Sequence, residues 1–145
     1  MPMDINLLGL VAAATAFLSI WMGHVSVRKI EARALALWQP MLVAVGLGLA
    51  LETAAVLLTN RPLSTICGIL GITLLWDALE LKRQAQRVRK GHAPANPNNP
   101  RHAALLAEPG TQATPLDILN RSPLGRPVDS DEAVRLVKQH GAGRL

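Results

Sequence analysis

Three long apolar stretches constrain this chain more than any other feature. Ile5 to Val27 is interrupted only by Asn6, Thr15, Ser19, His24 and Ser26. Trp38 to Thr59 is rich in Leu, Val, Ala and Gly, with Glu52 inside it, and a third stretch opens at Pro62 and reaches Trp76–Leu81 before charges take over. A hydrocarbon core about 30 Å thick takes roughly 20 helical residues to cross, so each stretch is long enough. In lipid, every backbone N–H and C=O needs a partner within the protein, which leaves only helices or closed barrels. No segment shows the alternation, over roughly ten residues, of a barrel strand. The expected fold class is therefore all-α, a three-transmembrane-helix bundle with helices over about residues 5–27, 38–59 and 62–90. Composition agrees: half of the 145 residues are hydrophobic, yet there is one Phe and no Tyr. A soluble domain of this size builds its core with more aromatic area. Only Asp4, Arg28, Lys29 and Glu31 are charged among the first 32 positions.

A cleaved signal peptide is the competing reading of the first stretch. Met1 to Asn6 carries Asp4 and neither Lys nor Arg, and the apolar run is longer than the usual 7–15 residues, so the stretch reads as a membrane span.

Lys and Arg in short loops set orientation. Arg28, Lys29 and Arg33 follow the first span; Lys82, Arg83, Arg87, Arg89 and Lys90 follow the third; the turn between the second and third has only Arg61. One topology satisfies this pattern: N-terminus outside, first loop inside, Asn60–Arg61 outside, C-terminus cytoplasmic. Trp21, Trp38 and Trp76 fall in the inner halves of their helices, near the headgroup level that tryptophan favours. The expected location is the bacterial inner membrane, multi-pass.

Helix three is expected to run on past the membrane into the cytoplasm, because Ala78, Leu81, Ala85 and Val88 recur at spacings of three and four on an otherwise basic segment. Its cations face anionic inner-leaflet lipid. Gly91 ends it, followed by the breaker-rich run Pro94 to Pro100. Composition then changes. Residues 92–145 hold seven of the ten prolines and few large apolar side chains, the composition of a flexible tail, so residues 1–91 form the membrane domain. Within the tail, Thr114–Asp117 and Asp129–Gln139 carry short helix-start signals, each too short to stand alone in water.

Two stretches resemble a family of small bacterial three-helix membrane proteins grouped as a domain of unknown function. Gly23 to Glu31 is similar to a His-Pro-x-Val-x-Lys-x-Glu segment, matching at His24, Val27, Lys29 and Glu31, with Val25 in place of the proline. Trp76, Glu80, Gln84, Arg87-Val88, Gly91, Pro94 and Asn96-Pro97 follow the spacing of the second pattern, with His92-Ala93 in place of Trp-Phe. The resemblance covers about residues 5–100 and implies fold and membrane location. It implies no activity, cofactor or partner.

Chemistry offers little else. The single Cys67 excludes a disulfide framework and cysteine-based zinc or iron–sulfur sites. No nucleotide-binding glycine loop or nucleophile-and-base pair is present, and no cofactor, metal or nucleic-acid partner is expected. Gly46-x-Gly48 and Gly68-x-x-Gly71 sit in apolar helices, where small residues let backbones approach. A bis-histidine haem site needs a second intramembrane His beside His24, yet His92, His102 and His140 follow the third span, which leaves only an intermolecular haem or one with another ligand. Intramembrane ionisable residues are costly and are candidates for function. Glu52 either carries a proton, contacts a partner subunit, or faces Thr15, Ser64 or Thr65 in its own bundle. At the inner boundary, His24, Asp77 and Glu80 fall at similar depth, so a His24 contact to either carboxylate is expected. The candidate functional residues are therefore His24, Lys29, Glu31, Glu52, Asp77, Glu80 and Arg87. The expected function is a non-enzymatic accessory or scaffold subunit of an inner-membrane assembly, as a homo-oligomer or docked on a larger membrane protein. The alternative is a small proton- or ion-conducting element using Glu52 and the inner-face polar group.

Overall fold

The structure, a computed structural model, describes residues 7–117 and Asp131. Among them are four helices and no strand: α1 (Leu7–Arg33), α2 (Trp38–Leu57), α3 (Arg61–Arg89) and α4 (Pro100–Ala107). The first three are long and apolar enough to cross a membrane. At 1.5 Å per residue, the 20 residues of α2 span about 30 Å, the thickness of the hydrocarbon core. The 27 residues of α1 and 29 of α3 give about 40 and 44 Å, so both overhang. They run parallel and overhang at the same end, because a tight turn joins α2 to α3 at the other.

That turn is locally encoded. Asn60 caps α3 by accepting from the Leu63 N–H at 3.0 Å, and Pro62 occupies the first turn, where no N–H partner is required. The Ser64 hydroxyl donates to the Ala55 carbonyl at 2.7 Å, tying the two helix ends together.

α3 is the central helix: α1 and α2 both pack on it and scarcely touch each other. The face of α1 against α3 is a row of every fourth residue, Ser19, Gly23, Val27 and Glu31, all buried. Such a row is one ridge of a helix surface; it runs along α3, and its last member, Glu31, also meets α4. On α3 the expected stripe turns inward, with Ala78, Leu81 and Val88 buried and Ala85 half-buried. Where α2 crosses α3, Gly48 and Gly71 bring the backbones together. A Cβ at either glycine would stand 3.0 Å from the other's carbonyl oxygen. Gly46 faces open space and Gly68 makes only ordinary contact with Ala55, so one glycine of each pair makes the crossing. The outward faces are apolar, with Leu10, Phe17, Leu42, Val56 and Leu57 exposed, as lipid-facing surfaces require.

Two boundaries differ from the sequence reading. α1 does not stop at Val27 but continues to Arg33, so Arg28, Lys29, Glu31 and Arg33 lie on helix rather than loop. And the packed part of the chain passes Gly91, where composition placed the end of the membrane domain. α3 does end there, with Gly91 at φ +70°, its N–H on the Val88 carbonyl and the His92 N–H on the Arg87 carbonyl. These are the two bonds of a Schellman closure. Residues 92–99 then lead into α4 against the end of α1, and the Ala95 N–H donates to the Thr114 carbonyl at 2.8 Å. Thr114–Asp117 is not helical; the Thr114 hydroxyl oxygen accepts from the Leu116 N–H instead. The stretch Asp129–Gln139, Asp131 aside, lies outside the described residues.

The α2–α3 crossing gives a direct test. Gly71→Val places a side chain against the Gly48 backbone and the Glu52 carboxylate, and should cost about 1–3 kcal/mol by overpacking. Gly46→Ala, which meets nothing, should be neutral or stabilise by up to about 1 kcal/mol through helix propensity. Thermal unfolding of both variants in detergent, followed by circular dichroism, checks the contrast.

Candidate functional site

The polar residues converge where α1, α3 and α4 meet, and the chemistry begins with backbone carbonyls. A helix leaves its last four C=O groups without intrahelical partners. At the end of α1 three of these four, on Ile30, Glu31 and Ala32, are met, as is the carbonyl of Ala34 just beyond the helix. The Ile30 carbonyl takes the Ala34 N–H, and Arg101 Nη2 donates to the Glu31 carbonyl. The Ala32 carbonyl accepts from Asn96 Nδ2 at 2.9 Å and Asn99 Nδ2 at 3.1 Å, and the Ala34 carbonyl accepts from Asn99 Nδ2 at 3.0 Å. Asn99 works at both ends of its amide. Its Oδ1 accepts from the Arg101 N–H and caps α4, while its Nδ2 caps α1.

Beneath these caps lies Glu31, with 1 % of its surface exposed. Its carboxylate oxygen Oε1 accepts from Arg101 Nη2 at 2.9 Å and faces His102 Nε2 at 3.0 Å. His102 is fully buried. Its other ring nitrogen, Nδ1, accepts the Asn96 backbone N–H at 2.9 Å. That bond assigns the tautomer: Nδ1 carries no proton, so Nε2 carries one and donates it to Glu31. A carboxylate out of water is tolerated when paired and hydrogen-bonded, and Glu31 has both a guanidinium and an imidazole N–H.

A second group lies nearby on α3. Glu80 is buried, and Arg87 Nη1 donates to Glu80 Oε1 and, at 3.1 Å, to Gln84 Oε1. Arg83 stands 3.8 Å from Glu80 Oε2 and places its guanidinium 4.7 Å from the Trp76 ring centre. Arg87, rather than His24, bonds Glu80. His24 is exposed and forms no hydrogen bond among the described residues; it lines a cavity of about 300 Å³ with Glu80, Gln84, Arg28 and Arg87. Its electrostatic partner is Asp77, whose carboxylate packs on Gly23, filling the space a Cβ would take.

The remaining candidates stand apart. Lys29 is exposed and unpaired among the described residues. Glu52 packs on Gly71 in the α2–α3 seam, away from the inner group. Ser64 and Thr65, its expected partners, spend their hydroxyls on the Ala55 and Arg61 carbonyls. No group of three or more His, Cys, Asp or Glu could hold a metal among the described residues. Sequence reasoning missed Asn99, Arg101 and His102. The available signal was Asn99-Pro100, an N-cap followed by a first-turn proline, which opens α4 inside what reads as a run of breakers.

Losing these contacts should be costly. Glu31→Ala leaves His102 buried without its acceptor and should destabilise by about 3 kcal/mol, the low end for a broken buried pair because Arg101 keeps some water. His102→Ala frees the Asn96 N–H and should cost about 1–3 kcal/mol. In a double-mutant cycle the two should couple by at least about 0.5 kcal/mol, read from unfolding in detergent. Truncation after Pro97 should lower stability markedly, whereas truncation after Asp117 keeps the corner intact; equal stability of the two would contradict this.

No curated protein and no solved structure matches the chain. A family described as a domain of unknown function (DUF4491) matches residues 6–99, which takes in all three spans, the Gly23–Glu31 and Trp76–Pro97 stretches, and the residues up to the cap of α4. By that match, this multi-pass membrane protein belongs to the DUF4491 family.

Proposed function

We propose that this chain is a non-enzymatic accessory or scaffold subunit of a bacterial inner-membrane assembly, its N-terminus outside and its C-terminus in the cytoplasm. One observation carries the reading: the two buried carboxylates at the basic end are held by the chain's own side chains. Glu31 is held by Arg101 and His102, and Glu80 by Arg87. These groups fix the geometry of helix ends. The outer faces of α1 and α2 meanwhile present Leu10, Phe17, Val56 and Leu57, surfaces suited to lipid or to helices of a larger subunit. Orientation rests on eight Lys or Arg in 28–33 and 82–90 against Arg61 alone at the other end.

The conducting alternative requires a polar route from Glu52 to the inner group. Between them, the Thr73 hydroxyl lies 2.7 Å from its own helix's Ile69 carbonyl and 3.4 Å from Ser19 Oγ, while Ser19 Oγ is 3.1 Å from the Ala16 carbonyl. Hydroxyls turned to their own helices favour the scaffold.

Affinity purification in mild detergent should recover stoichiometric larger membrane subunits. A lone homo-oligomer that dissipates a pH gradient in liposomes, and loses that activity in Glu52→Gln, would overturn the reading. A reporter fused after Asp117 should be active only in the cytoplasm; periplasmic activity would reverse the topology.

A further inference from the structure

Because α1 and α2 both lean on α3 without closing on each other, a groove remains between them. It encloses about 240 Å³ over α3, walled by apolar side chains including Met22, Ile30, Leu51 and Leu74. Ile30 and Pro40 also line a second cavity, of about 320 Å³, so the groove opens at the basic end into a mouth. The mouth is lined by Lys29, Arg33 and Gln39 with Ala34 and Ala36, and by no carboxylate. Lys29 and Arg33 are four residues apart on one helix face, both exposed, with no ion pair or hydrogen bond among the described residues.

Depth matches a lipid. Lys29 lies 22 residues from Leu7, about 33 Å along α1, just beyond a hydrocarbon core of about 30 Å. From Ser19, at the groove's deep end, to Ile30 is 11 residues, about 16 Å, close to the thickness of one leaflet's acyl region. At the mouth, two unpaired cations and the Gln39 amide offer donors for a phosphate. Asp77 also lines the groove, but its carboxylate is packed against Gly23 in the α1–α3 seam.

We propose that this crevice holds one anionic phospholipid, its acyl chain along the groove and its phosphate between Lys29 and Arg33. The groove and its mouth take no lining from Glu31 or Glu80, although Lys29 and Arg33 also edge a cavity of about 380 Å³ that Glu31 lines, and the site stands whether or not a partner subunit exists.

Native mass spectrometry of the full chain in detergent tests this, with phosphatidylglycerol, phosphatidylcholine of the same chains, and inorganic phosphate as separate probes. Phosphatidylglycerol should bind one per chain with a preference of roughly tenfold or more over phosphatidylcholine, as two cations at a headgroup imply. Lys29→Gln with Arg33→Gln should abolish that preference, while Arg89→Gln, on α3 outside the mouth, should keep it. Ala44→Trp, which fills the groove, should reduce retention of both lipids. The proposal fails if the double variant keeps the preference or if Arg89→Gln lowers it equally, which would mark a diffuse basic surface. It also fails if inorganic phosphate displaces the lipid, which would make free phosphate the ligand. The double variant alters only exposed side chains, so it remains decisive even if Ala44→Trp does not fold.

Discussion

The carboxylate of Glu31, buried at the overhanging end of a membrane helix, is the constraint on which that whole end of the structure depends. An ion moved out of water costs several kcal/mol unless matched by close partners. The partners available are Arg101 and His102, roughly 70 residues further along the chain. Meeting that requirement draws the whole 95–102 segment onto the end of α1. The same approach brings Asn96 and Asn99 to the terminal carbonyls, so the helix end and the buried charge are satisfied together. One backbone segment carries both sets of bonds.

This corner secures one side of the architecture. α4 holds the end of α1, and the row from Ser19 to Glu31 holds α1 along α3. α2 has a separate anchorage, the Gly48–Gly71 crossing and the Ser64 bond to Ala55, both independent of α1. The result is a central helix with two flanking helices secured by different chemistry, one by a polar cap and one by close backbone contact. The space between the flanking helices is a consequence of that division.

Much of this was legible in the sequence because lipid allows so few solutions. Apolar length, Asn60-Pro62 and Gly91 located α2 and α3 to within two residues, since each boundary has a local cause. The end of α1 was not legible, because its carbonyls are capped from a distant segment and nothing near Val27 reports that. Similar local signals also gave opposite outcomes: Asn99-Pro100 opens a helix and Thr114-Pro115 does not. What distinguishes them is tertiary, since Asn99 has α1 carbonyls to bond and His102 has Glu31. Glu31 and Asn96 entered through the family resemblance, which marked both stretches without showing that they meet. His24, singled out beside them, is exposed, and Glu80 is bonded instead by Arg87 from seven residues along the same helix.

The most direct test of the corner is the protonation pattern of His102, read by nitrogen NMR of ring-labelled histidine in the full chain, with His102→Gln to assign the signals. The bonds to Glu31 and Asn96 require one neutral tautomer, with the proton on Nε2, slow exchange with water, and Nδ1 accepting the Asn96 amide. A His102 ring protonated on Nδ1, or exchanging freely with solvent, would contradict the buried Glu31 contact and the capped corner built on it.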